Sequence, residues 1–260
     1  MKKKIKEDLE NAIICEKLNF EAREAYKLLR ANSLFTLPDS GSCRTIGITS
    51  AIRGEGKSTV SINTAYTFAE TGARVLLIDM DLRLPSIAKK FQIDTGKGLS
   101  DYLIGGVNLN EILKKYKKYD NWHVITSGTI PATPSELIGS EAMMNFMNLV
   151  KNNYDIIIVD LPPVNIVSDA LVAKNIVDGF IVVVRENYSN KRSLNECVRK
   201  LEFINANLLG FVMVDAQGNS KKYSYNRKYK KSYAYDKYGK YGYGYGYGPR
   251  LVNQETKDND

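Results

Sequence analysis

The chain is poor in the residues that most metal and redox sites are built from. It has one histidine, His123, and three cysteines, Cys15, Cys43 and Cys197, among 260 residues. A single imidazole argues against a multi-histidine metal site and against a His-based catalytic triad. His123 lies in an apolar, strand-like run and reads as a structural residue. The cysteines are far apart and form no C-x-x-C pair, which argues against a zinc site or a disulfide framework and for a reducing, cytoplasmic setting. Long apolar runs are missing as well. No stretch approaches about 18 uninterrupted apolar residues, so no transmembrane helix is expected. The sequence opens Met-Lys-Lys-Lys but continues through Lys6, Glu7, Asp8 and Glu10 with no apolar core, so it does not read as a signal peptide.

The charge is unevenly distributed. Residues 219–250 hold nine basic residues against one acidic residue, a surplus equal to the +8 of the whole chain. The rest of the chain is therefore near neutral, and the basic charge belongs to a tail rather than to a folded surface suited to nucleic acid. That tail also holds ten of the chain's 17 tyrosines: Tyr223, Tyr225, Tyr229, Tyr233, Tyr235, Tyr238, Tyr241, Tyr243, Tyr245 and Tyr247. Lys, Gly, Ser and Asn make up most of the remainder. With almost no aliphatic residue it lacks the means to build a core and is expected to be disordered.

Between the ends, apolar runs alternate with helical patterns. Strands are expected at Thr45–Thr49, Arg74–Asp79, Trp122–Thr126, Asp155–Asp160, Gly179–Val184 and Leu208–Val214. Helices are expected from Ser58 to about Ala69, after Pro85, at Leu99–Leu103, Leu109–Tyr116, Ser135 to about Lys151, Ser168–Asn175 and Lys191–Ile204. Continuous apolar strands separated by helices predict an α/β fold with a mostly parallel sheet covered on both faces. Three regions follow: a helical extension at 1–42, an α/β domain at 43–215 and the tail at 216–260.

The stretch Ala51-Ile-Arg-Gly-Glu-Gly-Lys-Ser58 organises the domain. It fits [G/A]-x-x-x-x-G-K-[S/T], with a strand pattern before it and a helix pattern after it, the context of a phosphate-binding loop. Gly54 and Gly56 allow the tight turn that aims successive N–H groups at one anion. The backbone from Gly54 through Glu55, Gly56, Lys57, Ser58 and Thr59 would hold nucleotide phosphates. Lys57 is expected to be a solvent-facing loop residue reaching the β- and γ-phosphates, and Ser58 a ligand of Mg²⁺.

Such a loop needs acidic partners for the metal. Asp160 closes Ile156-Ile-Ile-Val-Asp160, a Walker B pattern. Asp79 and Asp81 leave another buried strand two residues apart, with Arg83 beyond them as a candidate for neutralising phosphate charge. A helix cap or turn is the plain alternative for both aspartates.

These stretches, with the tyrosine cluster, resemble the bacterial tyrosine kinases of the polysaccharide-export type, in their cytoplasmic-only form. Leu-Ile-Asp79-x-Asp81-x-Arg83 resembles that family's extra acidic signature. Glu24-Ala-Tyr-Lys27-Leu-Leu-Arg30 resembles its oligomerisation motif, with Lys27 in place of the central Arg. The resemblance implies a P-loop fold and an ATP- and Mg²⁺-dependent, non-specific protein-tyrosine kinase that phosphorylates its own tail between subunits and regulates capsule or exopolysaccharide synthesis. It implies Asp79 as proton acceptor, with Asp81 joining Ser58 and Asp160 as metal ligands. It also implies a ring-like homo-oligomer, a separate membrane-spanning activator that recruits the protein to the inner face of the membrane, and a phosphotyrosine phosphatase. The eukaryotic kinase motifs H-R-D-L-x-x-x-N and D-F-G are absent. The main alternative is a switch ATPase of the partitioning or septum-positioning type. Those proteins carry a second lysine five residues before the loop lysine, where this chain has Ile52.

Overall fold

The computed structural model describes residues 17–37, 43–93, 96–116 and 118–215. The expected tail, its tyrosines and Cys15 lie outside them.

The apolar runs pair into one seven-stranded sheet of order β3-β4-β2-β5-β1-β6-β7. Its strands are β1 (Arg44–Ser50), β2 (Val75–Asp79), β3 (Lys114–Lys115), β4 (Trp122–Ile125), β5 (Ile156–Asp160), β6 (Gly179–Arg185) and β7 (Leu208–Val214). All pairings are parallel except β3 on β4. The helices are α1 (Phe20–Thr36), α2 (Lys57–Ala69), α3 (Ile87–Phe91), α4 (Leu99–Leu103), α5 (Leu109–Ile112), α6 (Pro134–Ile138), α7 (Glu141–Lys151), α8 (Asp169–Val172) and α9 (Lys191–Phe203).

The period-2 geometry of a strand explains why the runs are apolar throughout. Ile46, Ile48, Leu77, Ile158 and Val183 face one core, with α2 and α3 over it. Leu76, Ile78, Ile157, Val159 and Val182 face the other, which α4 to α9 complete. Alternate residues thus feed opposite layers. α1 lies outside α2 and also packs against β7.

The connectivity places the site. β5 lies between β1 and β2, so the loop that leaves β1 is flanked by the carboxyl ends of strands from elsewhere in the chain. Register puts Asp79 directly opposite Asp160, and Ile48 opposite Asp160 on the other side. Crevices of this kind, at the carboxyl ends of parallel strands, are where α/β sheets bind ligands.

Two helix expectations are corrected. The helix expected over Leu109–Tyr116 stops at Ile112, and β3 follows as an antiparallel edge. Tyr116 stacks on buried Trp122 at 4.4 Å between ring centroids, and its N–H donates to the Trp122 carbonyl. Burying that ring against the sheet edge overrides local helical preference. The helix expected from Ser135 to Lys151 is two helices. α6 ends at Gly139, and Ser140 starts α7 by accepting from the Met143 N–H, supplying one of the acceptors a new helix N-terminus needs.

Candidate nucleotide site with a carboxylate floor

The phosphate loop takes its shape from two left-handed glycines and three braces. Gly54 has φ +82°, and Gly56, the N-cap of α2, has φ +92°, both unfavourable for any residue with a Cβ. Outside the loop, the Tyr188 hydroxyl donates to the Arg53 carbonyl at 3.0 Å, and Arg185 donates to the Gly54 carbonyl at 3.2 Å. Neither side chain lines the cleft that holds Lys57. The third brace is Glu55. Its side chain is buried and accepts from the Ile52 N–H at 2.9 Å and from the Ser189 hydroxyl. Its carboxylate faces inward and holds the loop to the segment after β6, which leaves its backbone, the part expected to meet a phosphate, free of that brace.

The cleft has a volume of about 320 Å³, between the loop on one side and Leu84, Ser86, Lys90, Pro162, Pro163, Ile166 and Val167 on the others. Lys57 does not project into solvent as expected. It is the first residue of α2, its side chain is only 12% exposed, and its ammonium sits 2.9 Å from Asp81 Oδ2 and 3.6 Å from Asp160 Oδ2. Burial works against this charge, but Asp160 and Asp81 outweigh it and hold the ammonium above its ordinary pKa. Asp160 is fully buried. Its Oδ1 accepts from the Ser61 hydroxyl at 3.0 Å, while its Oδ2 has no hydrogen-bond partner among the described residues.

Asp79 and Asp81 have separate positions despite their spacing. Asp81 lines the cleft, its Oδ1 accepting from the Leu84 N–H. Asp79 lies beneath it, fully buried, and does not line the cleft. Its Oδ2 accepts from the N–H groups of Ser86 at 3.1 Å and Ile87 at 2.9 Å, which caps α3. Burial, with Asp160 beside it, pushes the Asp79 carboxyl up to about 7.

Arg83 reaches the cleft wall, but its guanidinium is engaged elsewhere. It grips buried Asp169 through Nε at 2.8 Å and Nη2 at 3.1 Å, and Ser135 joins the pair. The partner that sequence reasoning missed lies 86 residues away. Lys90 was missed too. It donates to Thr59 Oγ1 at 3.0 Å from the far wall. Ile52 packs against the apolar core, whereas Arg53 lines the cleft.

On α1, Glu24 and Lys27 pair with each other at 2.9 Å, and Arg30 donates to the Thr67 carbonyl near the end of α2. Leu28 and Phe35, seven residues apart on that helix, are 62% and 88% exposed. His123, on β4, meets the Tyr154 hydroxyl at 3.1 Å through Nδ1. Cys43 and Cys197 are buried thiols, and burial pushes them to about 11 and about 12.

The donor set fits a magnesium ion that arrives with a nucleotide. Ser58 and Asp81 line the cleft, and buried Asp160 lies beside them with its Oδ2 3.6 Å from the Lys57 ammonium. Among the described residues no cluster of three or more His, Cys, Asp or Glu forms a self-sufficient metal site. That pattern suits Mg²⁺, which takes one or two carboxylates and fills its remaining positions with phosphate oxygens and water.

Comparison with known proteins decides the family. A family profile described as an AAA domain matches residues 43–210. The tyrosine-protein kinase YwqD of Bacillus subtilis is 34% identical over 206 residues, 79% of this chain and 84% of that protein. The chain belongs to the bacterial tyrosine-protein kinase family. The tyrosine-protein kinase CpsD of Streptococcus agalactiae serotype III is 30% identical over 74% of this chain and 82% of its own length. Among solved structures, the chimerical protein CapA2B2 superposes with a TM-score of 0.68 at 34% identity, covering 72% of this chain and 82% of that one. The kinase domain of Escherichia coli tyrosine kinase ETK gives 0.69 at 29% identity over 87% and 80%. The septum site-determining protein MinD of Pyrococcus horikoshii shares the fold, with a TM-score of 0.55 at 24% identity. No helix among the described residues of the kinase is long and apolar enough to cross a membrane.

Proposed function

We propose that this kinase transfers the γ-phosphoryl group of ATP to tyrosine hydroxyls, that its acceptors are the ten tyrosines of residues 216–260 on a neighbouring subunit, and that it regulates capsule or exopolysaccharide synthesis. The observation that carries the reading is the Lys57–Asp81–Asp160 constellation at the mouth of a phosphate loop, in a chain whose tail carries ten tyrosines. Region 1–42 serves assembly, region 43–215 catalysis and region 216–260 acts as substrate.

The roles follow from position. Backbone N–H groups from Gly54 to Thr59 and the Lys57 ammonium hold the phosphates. Ser58, Asp81 and Asp160 would hold Mg²⁺, which when bound neutralises phosphate charge as the γ-phosphoryl group departs. A phenol with pKa about 10 needs a proton acceptor, and an acceptor works best with a pKa near the working pH. Asp79, raised to about 7, meets that requirement. One of the N–H groups on its Oδ2 belongs to Ser86, a cleft-wall residue, so displacing Ser86 is the way an incoming hydroxyl reaches it. Arg83 acts through Asp169 in holding the wall rather than as a free phosphate ligand.

Assembly into a ring would use α1, whose exposed Leu28 and Phe35 offer an apolar seam beside Glu24. A membrane-spanning activator would bring the protein to the inner membrane face, and a phosphotyrosine phosphatase would reset the tail. Each phosphate adds about −1.5 to −2 charges, so four or five of them cancel the tail's surplus of +8 and weaken its attraction to a neighbour's site.

The test mixes an inactive full-length protein with an active chain truncated after Gly218 and supplies radiolabelled ATP. Label on the tail of the inactive chain supports transfer between subunits. Label confined to residues 1–215, or ATP hydrolysis with no phosphotyrosine, refutes the reading and favours a switch ATPase.

A further inference from the structure

Each buried or clamped cation of the cleft has a carboxylate partner except one. Lys57 faces Asp81 and Asp160, and Arg83 grips Asp169. Lys90 is half-buried in the same cleft, and among the described residues no carboxylate lies within 4.0 Å of its ammonium. Among the described residues its one hydrogen bond goes to Thr59 Oγ1, a neutral acceptor in the first turn of α2. An ammonium has three donors, and a neutral hydroxyl satisfies one of them.

The position of Lys90 is held firmly. α3 is anchored at its start by Asp79, and Ile87 and Ala88 are buried. At its end Phe91 packs edge-on against Trp122 at 5.7 Å. Lys89, the neighbouring residue, is exposed and does not line the cleft. Lys90 shares its wall with Leu84 and Ser86 and its cleft with Asp81, the carboxylate end of the site. It takes no part in the second groove, which flanks the loop on the α1 and β7 side and is lined by Tyr26, Arg185 and Val214.

We propose that Lys90 is a catalytic residue whose ammonium contacts the terminal phosphate of the nucleotide and supplies positive charge to the transferring phosphoryl group. This rests on the kinase reading above. In the step, the bond from the γ-phosphorus to the bridging oxygen breaks, a bond to the tyrosine oxygen forms, the phenolic proton passes to Asp79 and ADP leaves. Lys90 gains and loses no atoms. Phosphoryl transfer is catalysed by positioning and charge neutralisation, and a cation on the departing group is a large contributor. Burial lowers the pKa of this ammonium, Asp160 partly opposes that, and Lys57 adds to it, as expected for a cation still lacking its anion.

The experiment compares full-length wild type, Lys90→Ala and Lys90→Arg by calorimetry with Mg·ADP and with the non-hydrolysable triphosphate Mg·AMP-PNP, alongside kcat and KM for tyrosine labelling. Lys90→Ala should weaken AMP-PNP binding about tenfold or more, leave ADP binding within about twofold and lower kcat about a hundredfold. Lys90→Arg should restore most of the AMP-PNP affinity, since it keeps the charge. Retained ADP affinity also reports an intact fold. Equal loss for both nucleotides would make Lys90 a structural brace, and no loss for either would remove it from the site; both overturn the proposal. If wild type labels no tyrosine but Lys90→Ala still loses AMP-PNP selectively, the kinase reading falls and the terminal-phosphate contact stands.

Discussion

Replacing Lys57 by Met should destabilise the nucleotide-free protein as well as silence it. The sequence alone suggests a solvent-facing residue whose removal spares the fold. In the structure its ammonium sits between Asp81 and Asp160, whose side chains are 7% and 0% exposed. Methionine fills similar space but leaves two carboxylates facing each other with Asp79 beside them. Breaking a buried pair by removing one partner costs about 3–5 kcal/mol. For a domain of this size each kcal/mol moves Tm by about 2–4 °C, so the loss should be about 6–20 °C at pH 7.5.

The protein can relieve part of this by protonating a carboxylate, and Asp160 is already pushed upward by burial. A carboxyl whose folded pKa is raised contributes stability below its unfolded value and loses it as pH rises. The gap between wild type and Lys57→Met should therefore narrow on going from pH 7.5 to pH 5. Adding Asp160→Asn to Lys57→Met should recover much of the Tm, and Mg²⁺ alone should stabilise Lys57→Met more than wild type, because the variant has lost its resident cation. Thermal melts across pH, with and without Mg²⁺, test all three. Identical Tm values for wild type and Lys57→Met at pH 7.5, or a gap unchanged at pH 5, would refute the reasoning.

Asp79→Asn should flatten the pH dependence of stability of the nucleotide-free protein. The wild-type carboxyl, at about 7 when folded, favours the folded state below the usual carboxylate range and loses that contribution as pH rises through 7, and melts of both proteins from pH 5 to 8 read the difference. Arg83→Ala should lower stability by about 1–2 kcal/mol, because half-exposed Arg83 leaves buried Asp169 with Ser135 as its remaining donor, while changing ADP affinity by less than about threefold; urea denaturation and calorimetry separate the two effects. Glu55→Gln should weaken ADP binding about tenfold with a smaller loss of Tm, since it loosens the brace between Ile52 and Ser189 without touching the core, and unchanged affinity would show that the loop keeps its shape without it.

What a sequence makes legible here is what local chemistry decides. The loop Ala51–Ser58 could be read because glycines at fixed offsets, a strand before and a helix after are all within one short stretch. Continuous apolar strands such as Ile156–Asp160 could be read because only a sheet covered on both faces uses them. Tyr116 could not be read as an edge residue, since its ring is placed by Trp122 across a turn. Arg83 could not be paired, since Asp169 arrives from a segment that follows β5.

The aspartate pair marks the boundary most clearly. Two residues of spacing at the end of a buried strand do not say which carboxylate does what, whereas in the structure one caps α3 from below and the other faces the cleft. The difference comes from where β2 stops. Asp79 is its last residue, opposite Asp160 of β5, while Asp81 lies beyond the strand and lines the cleft. Register between strands 81 residues apart sets that end point, and no local pattern encodes it. The same register accounts for the chemistry. It brings one carboxyl next to another in a dry layer, which raises the first toward neutrality, and leaves the carboxylate beyond the strand end paired with Lys57. One short motif thereby sets one carboxyl against Asp160 beneath the strand end and the other against Lys57 at the cleft, because the strand stops between them.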